Sequence, residues 1–229
     1  MIRFVLLDLD DTLLDFHRAE REALSRALTD AGISPSEEKI RRYSAINDMQ
    51  WKRLERGEIT RAEVKSERFR IFFREEGISS EPEETAHRYE HYLGEGHWFV
   101  EGAEEVLKAL FPIYGLYLVS NGTLRTQRSR LESAGIARYF RKIFISEVIG
   151  ANKPDPAFFR FCFAKIPDFD PAQTIIVGDS LTSDILGGNR SGIHTCYFCR
   201  AGAAESGGIY PEYRIHALSQ LPGLLSSIQ

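Results

Sequence analysis

Phe4-Val5-Leu6-Leu7-Asp8-Leu9-Asp10-Asp11-Thr12 is the stretch on which the fold turns. Four apolar residues without strict alternation suit a strand buried on both faces. Acids follow that strand at once. Similar short runs recur at Tyr114–Val119, Lys142–Ser146, Thr174–Val177 and His194–Phe198. Amphipathic stretches lie between or beside them, at Glu101–Leu110, Thr123–Ala134, Pro156–Ile166 and Thr182–Ser191. This alternation predicts an α/β fold, a parallel sheet with helices on both faces.

The rhythm breaks after the first strand. About 100 residues separate Leu7 from Tyr114, far more than one crossover helix needs. The segment from Phe16 to Gly96 reads as purely helical. Ala19, Ala23, Ala27 and Ala31 repeat every four residues beside Leu24 and Leu28, and Gly32 ends that helix. Ser36 can cap a second helix, with Ile40, Tyr43, Trp51 and Leu54 near one face until Gly57. Thr60 and Glu63 form a capping box for a third, which stops at Gly77. Pro82 opens a fourth that ends near Gly94. The expected division is a core of residues 1–15 and 97–229, with an all-helical insertion at 16–96.

Composition bounds the function. The chain has 229 residues, 43% hydrophobic and 27% charged, enough for a sizeable core plus a modest insertion. Its net charge of −4 offers nothing to a nucleic acid polymer. No window approaches a membrane span. The opening apolar run is too short for a secretory core. Three cysteines, Cys162, Cys196 and Cys199, are too few for a disulfide framework and fit a reducing compartment. Cys196 and Cys199 form a CxxC without two further ligands at matching spacing, so they are read as strand residues. A cytoplasmic location follows as an expectation.

Ligands of an open parallel sheet bind beyond the carboxyl ends of its strands, and those ends carry the informative residues. Asp8 and Asp10 are two apart and can face one site. One carboxylate can attack phosphorus as a nucleophile, and a second can protonate the leaving oxygen and later deprotonate water. Acids this close call for a cation. Ser120-Asn121-Gly122, before a helix start, can cradle an anion or merely cap the helix. Lys153, locked beside Pro154, can neutralise phosphate or stand as a loop lysine. Asp179 and Asp184 supply the oxygen ligands that magnesium prefers, or cap a helix.

Taken together and in order, these four motifs resemble the haloacid dehalogenase superfamily of phosphohydrolases, across nearly the whole chain. The matching residues are Asp8-Leu9-Asp10-Asp11-Thr12, Ser120-Asn121-Gly122, Lys153-Pro154-Asp155-Pro156 and Gly178-Asp179 through Asp184. The resemblance implies a Rossmann-like parallel sheet with helices on both faces, plus a helical cap domain. It implies that Asp8 is the nucleophile and Asp10 the general acid/base. Magnesium would be held by Asp8, the Asp10 backbone carbonyl and Asp179, with Asp184 behind or reaching it through water. Ser120, Asn121, Gly122 and Lys153 would bind the transferring phosphoryl group, and Thr12 would orient Asp10 at that phosphate site.

Within that superfamily the chain looks most like the pyrimidine 5′-nucleotidase branch. The cues are Ala45-Ile46-Asn47, Trp51 and Gly57-Glu58-Ile59-Thr60, with Ser183-Asp184-Ile185-Leu186-Gly187-Gly188. The implied partner is a small phosphate monoester, a nucleotide or a sugar phosphate, and the protein a monomer or homodimer. Acylneuraminate 9-phosphatases have similar caps and fourth motifs, which makes a sugar-phosphate phosphatase the alternative. A phosphomutase, a 2-haloacid dehalogenase and a non-catalytic binding protein compete with the phosphatase reading. Asn47 and Trp51 share a helix face and can meet a base, or Trp51 can pack the cap interior. Phe16 can line the site or pack the hinge. His87 and His91 are read as a solvated pair, Arg125, Arg128 and Arg130 as surface residues, and Phe158, Phe159, Phe161 and Phe163 as helix packing on the sheet.

Overall fold

The computed structural model describes residues 1–200 and 207–228. Its strands are β1 (Phe4–Leu7), β2 (Gly115–Ser120), β3 (Lys142–Ile145), β4 (Thr174–Gly178), β5 (His194–Phe198) and β6 (Tyr213–Ile215). They form one parallel sheet in the order β3-β2-β1-β4-β5-β6. The first five stand where the apolar runs predict them. The sixth does not follow from the sequence reading, because three residues with an exposed Arg214 between them carry no usable period.

Between β1 and β2 run α1 (Phe16–Asp30), α2 (Glu37–Glu55), α3 (Arg61–Glu76) and α4 (Pro82–Glu95). Asp15 caps α1 by accepting from the Arg18 amide at 2.9 Å. Thr60 and Glu63 make a reciprocal capping box on α3, and Gly77, at φ +65°, ends it. These helices share one apolar cluster, in which Ala19, Ala23 and Ala27 let α1 approach Tyr43, Phe69, Phe72 and Tyr89. The two crossings between helices and sheet are tied together. The Asp15 amide donates to Trp98 O at 2.8 Å, and the Val100 amide to Leu13 O at 3.0 Å.

The remaining helices are α5 (Ala103–Leu110), α6 (Leu124–Ser133), α7 (Ser146–Ile149), α8 (Pro156–Phe163), α9 (Leu186–Ser191) and α10 (Leu221–Ser227). Strand alternation distributes the sheet's side chains to two faces. Val5, Leu7, Leu116, Leu118, Ile175 and Val177 pack with Leu107 of α5, Leu131 of α6 and Leu225 of α10. Phe4, Leu6, Tyr117, Val119 and Ile176 meet Phe158 and Phe159 of α8 on the other face. Each fully buried aliphatic side chain contributes roughly 1.5–3 kcal/mol to holding the layers. Phe161 departs from expectation: it is 41% exposed, because it lies on the solvent face of α8. No helix among the described residues is long and apolar enough to cross a membrane.

Before α9 the chain makes one π-turn, Leu181–Ile185, where sequence periodicity predicts a single helix. The wider turn brings Asp184 back over its own start, where Oδ2 accepts from the Ser180 amide at 3.1 Å. Gly178 makes room for it. A Cβ there would sit 2.2 Å from Asp184 Oδ2.

Candidate active site

Parallel pairing brings the ends of β1, β2 and β4 side by side. Leu7 pairs with Leu118 and Val177, so Asp8 emerges between them. Its amide donates to Val177 O at 3.0 Å. Its Oδ1 accepts from Lys153 Nζ at 2.6 Å. The same ammonium donates to Asp184 Oδ1 at 2.6 Å and Val119 O at 2.8 Å. All three Lys153 protons are therefore taken by protein acceptors, and what Lys153 offers the site is its charge. Asp8, Lys153 and Asp184 are all buried, and Asp179 is half-buried beside them. A cavity of about 510 Å³ opens over this group, between the strand ends and the α1–α4 insertion.

Several predicted roles change in detail. The Thr12 hydroxyl does not reach Asp10 and does not line the cavity. It accepts from the Asp179 amide at 3.1 Å and donates to Asp179 Oδ1 at 3.3 Å, tying β1 to β4. Asp10 is instead held by α6. Gln127 Nε2 donates to its Oδ2 at 2.5 Å, and Arg130 Nη1 to its Oδ1. Arg130 is accordingly fully buried, unlike the exposed Arg125 and Arg128. A single helix carries both kinds because its inner face turns toward a carboxylate. Ser120 is buried off the cavity, and its Oγ accepts from the Gly122 amide at 3.1 Å and Gln127 Nε2 at 2.8 Å. Asn121 pairs reciprocally with the Lys153 backbone at 2.9 and 2.8 Å. A Cβ at Gly122 would lie 2.2 Å from Gln127 Nε2, so any larger residue there would displace the side chain that holds Asp10.

On the insertion side, Phe16, Asn47 and Trp51 all line the cavity. Trp51 stands outside the insertion's apolar cluster, while Phe16 packs partly against it. Asn47 is buried with both amide ends engaged: Nδ2 donates to Glu20 Oε1 and Oδ1 accepts from Arg68 Nη1, each at 2.8 Å. Arg68 pairs in turn with Glu90. His87 and His91 belong to no metal-capable trio among the described residues. The three cysteines are free and buried. Burial pushes the Cys162 and Cys196 thiols up to about 12.

Asp8, Asp179 and Asp184 can each offer an oxygen, all within 4.8 Å of one another. Three carboxylates, when ionised, outnumber the one ammonium by two charges. Burial pushes Asp8 up to about 8, with Asp184 and Asp10 adding to it and Lys153 opposing. Burial likewise holds Asp179 well above the usual carboxylate range, reinforced by Asp8 and Asp184. Burial acts to lower Lys153, but Asp184 and Asp8 outweigh it and hold the ammonium above its ordinary range. A hard divalent cation with oxygen ligands supplies the missing charge, so the donor set fits magnesium. The acidic trio includes the side chain of Asp184 and leaves out that of Asp10.

Glu55, at the end of α2, reaches across to accept from Thr182 Oγ1 at 3.0 Å. Burial pushes its carboxyl up to about 7, Thr182 opposes, and Asp184 adds. A raised acid favours the protonated folded state. Its contribution is full below about pH 4.5 and is lost as pH rises through 7. Glu55→Gln keeps an acceptor for Thr182 and removes the charge. Denaturant titration of the metal-free protein should therefore find the variant near wild type at pH 4.5. At pH 8 it should be more stable by about 1–2 kcal/mol, after discounting for partial exposure. Equal stability at both pH values would refute this.

Sequence reading passes over Gln127, Glu20, Glu55, Arg61 and Arg68, and it places the buried Arg130 on the surface. All stand on helices, where an isolated polar residue looks like a solvated face. Only Gln127 and Arg130, three apart, carry a spacing signal.

The chain matches the haloacid dehalogenase-like hydrolase family over residues 5–198. It is 36% identical to YfnB of Bacillus subtilis, named a HAD-hydrolase, across 98% of this chain and 95% of that one. The solved, magnesium-bound YfnB structure superposes with a TM-score of 0.93, covering 98% of both chains. Pyrimidine 5′-nucleotidase PynA of Streptococcus pneumoniae is 34% identical over 96% of this chain and 93% of its own. Pyrimidine 5′-nucleotidase YjjG of Escherichia coli is 28% identical, over 97% of each.

Proposed function

This chain belongs to the haloacid dehalogenase-like hydrolases, and from that premise we propose that it is a magnesium-dependent phosphatase of pyrimidine nucleoside 5′-monophosphates. The observation that carries the reading is the buried Asp8–Lys153 pair, in a cluster whose three carboxylates outnumber its one ammonium by two, at the floor of a capped cavity. Full-length similarity to PynA and YjjG supports the nucleotide as substrate. Residues 16–96 serve as the cap over a core of 1–15 and 97–229. Movement of that cap is supported by YfnB, whose magnesium-bound structure reveals interdomain movement. Three free, buried cysteines support a cytoplasmic setting.

Asp8 attacks phosphorus while the bond to the leaving oxygen breaks, and Asp10 gives that oxygen its proton. Asp10 then takes a proton from a water that attacks the aspartyl-phosphate, releasing inorganic phosphate and restoring Asp8. Asp8, Asp179 and the backbone of Asp10 would hold magnesium, with Asp184 behind. When bound, magnesium supplies the positive charge that lets a phosphate dianion approach a carboxylate. Lys153 adds fixed charge from below. Asp10 leaves Arg130 and Gln127 to meet the leaving oxygen. The cap excludes bulk water, and Trp51 and Phe16 offer apolar faces to the base.

Phosphate release should be measured over nucleoside monophosphates, sugar phosphates and p-nitrophenyl phosphate, with magnesium or EDTA. Release from pyrimidine nucleotides that EDTA abolishes is expected. Thermal unfolding should report the same site, because a ligand at 100-fold its Kd adds about 2.7 kcal/mol to stability. Preference for sugar phosphates would reassign the leaving group. Halide release from 2-haloacids, or silence across the panel, would refute the reading.

A further inference from the structure

Arg61 is the first residue of α3, on the cap, yet its guanidinium lies in the core. Nη1 donates to Asn121 O at 2.7 Å and Gly122 O at 2.9 Å. Nη2 donates to Ser146 Oγ and Asn152 Oδ1, each at 2.5 Å. The Trp51 ring lies 5.5 Å from the same guanidinium on the cap side. Arg61 does not line the cavity. It touches the backs of two loops whose fronts do: Asn121-Gly122 and the loop ending in Lys153.

A trans peptide points its N–H opposite its C=O. With the carbonyls of Asn121 and Gly122 turned to Arg61, the N–H groups of the same peptides must face the other way. One of them, that of Gly122, donates to Ser120 Oγ. Gly122 gives this loop a wide choice of peptide orientations, and the guanidinium selects one. Asn152 stands next to Lys153, and Asn121 holds the Lys153 backbone at both its N–H and C=O. One cap residue thus orients both anion-binding loops at once.

We propose that Arg61 is a positioning residue that makes capture of the phosphoryl group conditional on cap docking. With the cap seated, the Asn121-Gly122 peptides and the Lys153 loop are aligned for a phosphate dianion. With the cap lifted, the four acceptors lose their donor and the cradle loosens. The inference rests on the phosphatase reading. It adds that affinity for phosphate itself, and not only for the leaving group, depends on the cap.

The test is inorganic phosphate, which has no leaving group for a cap to recognise. Its inhibition constant and its direct calorimetric binding, with magnesium, should be compared in wild type, Arg61→Ala and Arg61→Lys. Arg61→Ala should weaken phosphate about 5- to 150-fold, the usual span for coupling between sites. KM should rise in parallel, and kcat at saturation should change less. Arg61→Lys keeps the charge but not the fork and should fall between; it also serves if the alanine variant misfolds. Unchanged phosphate binding with a raised KM would mean that Arg61 serves the leaving group, and would overturn the inference alone. A wild type that neither binds phosphate nor hydrolyses any monoester would overturn the phosphatase reading, and this inference with it.

Discussion

Asp8→Asn is expected to lower kcat by at least ~10⁴-fold on every substrate, the scale at which loss of a nucleophile is felt. Asparagine has the same shape but cannot form the acyl-phosphate. The fold should survive. Lys153 keeps Asp184 and Val119 as partners. The substitution also removes a carboxylate whose burial already pushes it up to about 8. Melting at neutral pH without metal should therefore be unchanged or raised. On the proposed site magnesium should stabilise the variant less than wild type, because one of the three carboxylate charges that could hold it is lost. Residual turnover within tenfold of wild type would exclude Asp8 as nucleophile.

Lys153→Met is expected to damage both activity and stability. Methionine fills a similar volume but leaves Asp8, Asp184 and Val119 O without their shared donor. Removing one member of a buried ion pair costs about 3–5 kcal/mol, because the other charge is stranded. If phosphoryl transfer takes place at Asp8 as proposed, loss of the fixed charge beside it should cost a further ~10²–10³-fold in kcat. Adding Asp184→Asn to Lys153→Met removes one stranded charge, so part of the stability should return and none of the turnover. Urea titration and phosphate release separate the two effects. A Lys153→Met protein as stable as wild type would show that the buried pair carries no net stabilisation.

Asp10 shows where sequence reading stops. Its position two residues beyond Asp8 marks it as a second carboxylate of the site, and it does line the cavity. Its partners were not legible. Arg130 reads as a surface residue on a polar helix, yet its side chain is buried, and its Nε also donates to Gly96 O at 2.8 Å, at the return from the insertion. One arginine therefore joins the second carboxylate to a crossing point of the chain. Only the packing of α6 against α4 and the turn after β1 makes that visible. Thr12 is similar: a hydroxyl beside an acid in sequence turns out to serve Asp179, from another strand.

Local chemistry determined much of this protein. Apolar runs of four to six residues specified the first five strands, of which β3, at the sheet edge, exposes Lys142 and Ile143, and Ser36, the Thr60–Glu63 pair and Gly77 set helix ends. Acids, a hydroxyl and a lysine at successive strand ends marked the site, because a parallel sheet brings such ends together whatever lies between. Those are short-range or register effects, and a chain carries them in its order. The pairing of polar side chains across distant helices is not carried that way. Which of Arg125, Arg128 and Arg130 would be buried, and that Glu55 and Arg61 would reach from cap to core, depended on how rigid helices met. Burial then set the electrostatics: the same carboxyl group is ordinary on a surface and, as Asp8, is pushed up to about 8 once buried beside Asp184 and Asp10.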